Sequence, residues 1–186
     1  MGVLAGFILG TLSYFCGLIK VLLWFPTKVI KSVPVASFVI LVLLWTGMDR
    51  LSTVIAFLIV FPNIYQNMYT GLSYTDQALI DMAMVHRVSF PKQFLRIYMP
   101  TALPVLLGAA SVSVGFAWKA GVAAEVIGLC RNSIGNELFN AKLYLYIPSL
   151  FAWTVIIIFL SFLCEKLLIF IMKILCKGKI NGRNTL

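Results

Sequence analysis

Charge is what this sequence has least of. Only 11% of its 186 residues are charged and 61% are hydrophobic, whereas a soluble domain is roughly a quarter charged and half apolar. That balance excludes an ordinary soluble domain and points to a polytopic membrane protein. Acidic residues are scarcer still, six in all, and no two of them pair within one apolar run. With no GxSxG beside a histidine and no paired aspartates, an intramembrane enzyme lacks its reacting groups, so no catalytic residue is assigned. Histidine occurs once, as His86, which excludes a His-based metal site. The four cysteines, Cys16, Cys130, Cys164 and Cys176, show no CxxC or Cys/His spacing. Beside apolar runs a thiol behaves as a small hydrophobe, so no metal, other cofactor or disulfide is expected. A GxxxxGKS or GxxxxGKT phosphate loop is also missing, which excludes ATP binding by that route.

What the chain has instead is a series of apolar runs. Gly2–Trp24 is expected to be a first span, opening on apolar residues without the basic n-region of a signal peptide. Gly2, Gly6 and Gly10 recur every four residues, a small-residue face suited to close packing within the chain or to a subunit interface. Val33–Met48 is a second segment, at about 24 Å short for a core of ~30 Å. Leu51–Tyr69 makes a third span with Pro62 as a kink. Thr101–Ala120 is the fourth, rich in small residues that suit tight helix contacts or a passage lining. Pro148–Ile171 is the fifth, where Glu165 with Lys166 reads as an interface marker, and Lys173–Leu186 is a basic tail. The expected fold class is therefore all-α, a polytopic bundle of about five transmembrane helices.

Between the third and fourth spans lies a polar interruption, Gly71–Met99. Ser73 and Asp76 stand at capping-box spacing, so a short helix is predicted over Thr75–Val85. Ser89 is placed to cap a second helix with Pro91 in its first turn. Phe90, Phe94 and Tyr98 would form one aromatic stripe on it, and Pro100 ends it or bends it into the next span. The interruption thus reads as a helix-turn-helix set against the membrane.

The placement of the charges argues against nucleic acid as the reason for a net charge of +9. Lys28, Lys31, Arg87, Lys92, Arg96 and the tail fall on one side of a five-span chain, and the positive-inside rule makes that side cytoplasmic. The N-terminus is then expected outside and the C-terminus inside, which suggests that an earlier span is missing from the sequence. In the mixed stretch Gly121–Ile147, Glu125 lies seven residues after Trp118 and shares its face if helix continues between them. It lines a passage or simply reaches water at the end of a span. Asn132, Asn136 and Glu137 read as an exposed loop or as a contact for an external protein.

These residues resemble a known family. Asp81, Met82 and Ala83 stand where the membrane subunits of bacterial ABC importers carry the Glu-Ala-Ala of their EAA loop, Arg87 where that loop has glycine, and Met99–Pro100 where it has Leu-Pro. Ser32–Gly47 is similar to the IPxLAxxPLxxLWFG run of the nitrate/sulfonate/taurine permease branch, and Pro100–Gly128 to its LPAALP…AWxxLVxAEMIG run. The resemblance covers about residues 5–172. Residues 1–172 would then form the importer transmembrane domain with a coupling loop at 71–99, and 173–186 a cytoplasmic tail. The branch typically has six spans, of which this chain shows the last five.

The resemblance implies a multi-pass protein of the bacterial inner membrane. Its partners would be a second permease copy, a cytoplasmic ABC ATPase, and an extracellular or periplasmic solute-binding protein. It implies that Asp81, Met82, Ala83 and Arg87 form the helix that docks in a groove of the ATPase. Trp118 and Glu125 are the candidates for the translocation pathway. Arginine in place of glycine is strained by on the order of 1 kcal/mol if the position needs φ > 0, or else extends the first helix by a turn. The alternative function is a scaffold subunit that shares the fold and moves no solute.

Overall fold

The computed structural model describes residues 1–180, with side chains through Ile171. The chain runs through helices α1 (Gly2–Phe15), α2 (Gly17–Ser32), α3 (Val35–Thr46), α4 (Leu51–Ser73), α5 (Gln77–Val85), α6 (Phe90–Gln93), a π turn (Phe94–Tyr98), α7 (Met99–Gly128), α8 (Ile134–Leu143) and α9 (Ile147–Ile180). Among the described residues there is no strand, so the all-α reading holds. Among the described residues, three helical stretches are by themselves long and apolar enough to cross a membrane: Leu51–Ser73, Phe90–Gly128 and Ile147–Ile171. They correspond to the third, fourth and fifth expected spans.

The first two expected spans come out differently. Gly2–Trp24 is not one helix: α1 stops at Phe15, Cys16 is extended at φ −126° and ψ 105°, and α2 starts afresh at Gly17. The residues after the break explain it. Lys20, Thr27, Lys28 and Lys31 place a polar group in every turn or two of α2, too many for a helix that continues through hydrocarbon. The Val33–Met48 segment is the 12-residue α3, bounded by Pro34 and by Gly47 at φ 70°. The basic tail expected at 173–186 lies outside the residues whose side chains are described.

Two compact units make up the chain. The first comprises Met1–Ser32 and Leu58–Ala110. Its core is a stripe on α4, Val60, Ile64, Met68 and Leu72, spaced every four residues and buried. The small-residue face of α1, Gly2, Gly6, Gly10 and Ser13, is buried too. A Cβ on Gly6 would come within 2.9 Å of the Phe61 carbonyl oxygen, and one on Gly10 within 2.8 Å of that of Tyr65. The repeat therefore serves packing inside the chain, backbone against backbone. At the end of α1, Tyr14 and Phe15 stack edge-on with Tyr98, and Phe15 also meets Phe90. The aromatic stripe of the polar interruption is thereby anchored to α1.

The second unit comprises Val33–Phe57 and Ser111–Leu186. Val39 and Val42 of α3, Leu51 and Ile55 of α4, and Ala124 of α7 are among its buried apolar residues. Gly128 closes α7 under Leu51, whose Cδ2 would lie 2.4 Å from an added Cβ.

Candidate functional site

The polar interruption folds as two short helices joined by a tight turn. Asp76 caps the first helix, its carboxylate accepting the N–H of Ala78 at 2.9 Å. Ser73 is not part of a capping box, because its hydroxyl donates back to the Tyr69 carbonyl and finishes α4. The helix accordingly starts at Gln77 rather than Thr75. Ile80 and Ala83, three residues apart, form its buried side. Leu79, Met82, Met84 and Val85 are exposed, and so are Asp81, His86 and Arg87. An exposed face this rich in methionine and valine is an adaptable apolar surface. Asp81 supplies its one negative charge and is steadied by Gln77, whose amide donates to Oδ1 at 3.1 Å.

The helix ends in a Schellman motif. The N–H of Val88 donates to Ala83 and that of Arg87 to Met84, with Arg87 left-handed at φ 51°. Of the two possibilities for Arg87, the strained one is therefore the one adopted, and the helix is not extended. Of the four coupling residues expected from the resemblance, Asp81, Met82 and Arg87 share the exposed surface, while Ala83 faces inward at 2% exposure.

Ser89 and Pro91 start the second helix as expected, although Ser89 makes no side-chain cap bond. Pro100 does not end it. The N–H of Met99 reaches back to Phe94 across the π turn, and α7 continues from Met99 to Gly128. A widened turn just before proline absorbs the missing donor and the ring clash that would otherwise break the helix. The exposed face of α5 is thus followed by one uninterrupted helical run, Phe90–Gly128, long and apolar enough to cross a membrane.

Trp118 and Glu125 do lie on one continuous helix. The indole Nε1 of Trp118 is buried without a hydrogen-bond partner. Glu125 is engaged at both oxygens: the Ser52 hydroxyl donates to Oε1 at 3.1 Å, and the Gly135 N–H to Oε2 at 3.1 Å. It fastens the start of α4 and the start of α8 to α7. The stretch read as an exposed loop is helical from Ile134, with Ser133 accepting the Asn136 N–H at 3.1 Å. Nearby, burial pushes the Cys130 thiol pKa up, and the carboxylates of Glu125 and Asp49 add to the shift.

Glu165, read from the sequence with Lys166 as an interface marker, is engaged by another helix: its Oε1 accepts a hydrogen bond from Ser111 of α7, while Gly115, one turn on, leaves room for Oε2 at 3.9 Å from an added Cβ. The Ser111, Gly115 pair at i, i+4 was the available signal. It was legible as small-residue packing but not as the seat of a carboxylate.

A profile of the family described as binding-protein-dependent transport system inner membrane component matches residues 2–179. The chain is 28% identical over 158 residues to a putative aliphatic sulfonates transport permease protein of Bacillus subtilis, covering 84% of this chain and 56% of that protein. It is 29% identical over 120 residues to a protein of the same description from Escherichia coli, covering 63% of this chain and 45% of that one. Similarity to a bicarbonate transport system permease protein of Synechocystis is 26% over 113 residues, 61% of this chain and 40% of that one. The chain thus spans about half the length of the curated relatives it matches.

Proposed function

This chain belongs to the binding-protein-dependent transport system inner membrane components, and from that premise we propose that it is the membrane-spanning permease subunit of an ABC importer. The observation that carries the reading is α5, a side-chain-capped helix that exposes Asp81, Met82 and Arg87 at the positions of the EAA loop. Its mixed apolar and charged face suits the groove of a partner ATPase on the cytoplasmic side. ATP hydrolysis there moves α5, and the helical run Phe90–Gly128 carries that movement into the bilayer. The chain acts by transport rather than catalysis, in a pair with a second permease copy, and receives its solute from an external binding protein. The N-terminus lies outside and the C-terminus in the cytoplasm.

The solute class follows the relatives. Two of them are named for aliphatic sulfonates and one for bicarbonate, so a small oxyanion is the substrate proposed. Trp118 and Glu125 contribute to the pathway chiefly by holding its wall, because both Glu125 oxygens are occupied. The test is Asp81→Lys in the complex assembled with its partner ATPase. Loss of ATPase capture and of sulfonate uptake, with normal membrane insertion, is expected. Unchanged capture and uptake would overturn the coupling role, and capture without uptake in the unsubstituted protein would mark it as a scaffold.

A further inference from the structure

The helix that replaces the second half of the expected first span has a surface of its own. On α2, Leu18, Leu22, Phe25 and Val29 stand at i, i+4, i+7 and i+11, one stripe along the helix. Leu18, Leu22 and Phe25 are 66–81% exposed and Val29 is 39% exposed. A second stripe runs beside it: Lys20, Trp24, Lys28 and Lys31 at i, i+4, i+8 and i+11, with no acidic residue anywhere on the helix. The third face is the least exposed, with Thr27 buried and Ile19, Leu23 and Ile30 half-buried, and the Thr27 hydroxyl donates to the Leu23 carbonyl at 2.6 Å.

The basic stripe is held in position. Lys31 donates to Gln66 of α4 at 2.5 Å, the Lys20 ammonium lies 4.8 Å from the Tyr69 ring, and that of Lys28 lies 5.8 Å from the Trp24 ring. Gln66 and Tyr69 are uncharged, so none of these contacts neutralises a lysine. An apolar stripe beside an uncompensated cationic one, with tryptophan in the cationic stripe, is the distribution of a helix lying in the plane of the membrane interface.

We propose that α2 is an interfacial helix that buries Leu18, Leu22, Phe25 and Val29 among the acyl chains and binds anionic lipid headgroups through Lys20, Lys28 and Lys31. Lipid is the occupant because the stripe is fully cationic and its apolar neighbour is continuous along the helix. A water-exposed helix would leave that apolar stripe uncovered, and a spanning helix would draw three ammoniums through hydrocarbon at a cost of several kcal/mol. This inference requires only a membrane protein, so its failure would leave the importer reading untouched.

The test uses the full chain in vesicles of phosphatidylcholine with and without phosphatidylglycerol, carrying a spin label at position 18, 22, 25 or 29 in turn. An in-plane helix gives all four labels the same shallow depth. A spanning helix gives a progressive change of about 16 Å from 18 to 29, at ~1.5 Å per residue, and that gradient would overturn the proposal. Labels open to a water-soluble relaxant at every position would overturn it equally. The labelled chain should collect phosphatidylglycerol around α2. Lys28→Gln, which removes the lysine without a partner on another helix, should lower that preference about fivefold, and K20Q/K28Q/K31Q should abolish it. An unchanged preference in both variants would contradict the headgroup role, while the depth measurement stands even if the triple variant fails to fold.

Discussion

The two short helices α5 and α8 are built alike and held differently. Each begins with a side chain on a backbone N–H, Asp76 on Ala78 and Ser133 on Asn136. Each ends in a Schellman motif whose left-handed residue is not glycine, Arg87 at φ 51° and Leu145 at φ 55°. Yet α8 is clamped at its first turn. Its Gly135 N–H donates to Glu125, and a Cβ on Gly135 would lie 2.3 Å from the Glu125 Cβ. No comparable polar clamp from another helix is found on α5 among the described residues; its bonds to Asp76 and Gln77 are local. Local stop and start signals set the ends of a short helix, whereas long-range polar contacts decide whether it is fixed scaffold or free surface. In a family that couples a soluble partner to a membrane passage, α5 is the helix left available and α8 the one tied down.

The sharpest way to break that contrast is Gly135→Val. Its side chain has no room against Glu125 and Val126, so it should lower stability by about 3 kcal/mol, the upper end for overpacking, read as the thermal midpoint in detergent. Ala78→Val, on the exposed start of α5, should cost under about 1 kcal/mol from helix propensity alone. Equal losses would erase the distinction. Next comes Glu125→Gln, which removes a charge-assisted acceptor and should cost about 1–3 kcal/mol. Amide exchange should quicken in α8 and stay unchanged in α5.

A smaller gain is expected from Arg87→Gly. Relieving a left-handed non-glycine residue should stabilise the end of α5 by about 1 kcal/mol, measured as slower exchange of the Val88 amide. Leu145→Gly should do the same for α8, since the stop signals are shared. The smallest effect is chemical. With its pKa raised by burial and by Glu125 and Asp49, the Cys130 thiolate fraction at neutral pH is below that of an ordinary cysteine. Maleimide labelling of Cys130 should be slow at pH 7 and climb only as the pH rises past the usual thiol range, and Glu125→Gln should move that climb to lower pH.

Local signals carried far into the structure, and distant ones did not. Asp76, Ser89 and Pro91 marked the helix starts of the polar interruption, because a cap is decided within one turn. The glycine repeat of α1 was visible, but which surface it met became clear only with Phe61 and Tyr65 against it. Averaged hydropathy drew Gly2–Trp24 as one span, because Val21–Trp24 outweigh a single lysine in any window, and the break at Cys16 has no strong local mark beyond Gly17. Pro100 reads equally as a helix end or a bend into the next span, since the π turn that carries the chain through it has no sequence signature of its own. The pairs Glu125–Ser52 and Glu165–Ser111 lie 73 and 54 residues apart, beyond the reach of any periodicity.

The central claim is that the exposed face of α5 is a docking surface for a nucleotide-hydrolysing partner. A single thiol placed there by Met82→Cys, with the native cysteines replaced by serine, reads it directly. Without the ATPase the thiol should label rapidly with a water-soluble maleimide from the cytoplasmic side. With the ATPase bound it should be protected at least tenfold, while a thiol at Lys142 of α8, labelled from the outer side, should react equally with and without the ATPase. Equal labelling of position 82 with and without the ATPase, or labelling only from the opposite side of the membrane, would contradict the claim.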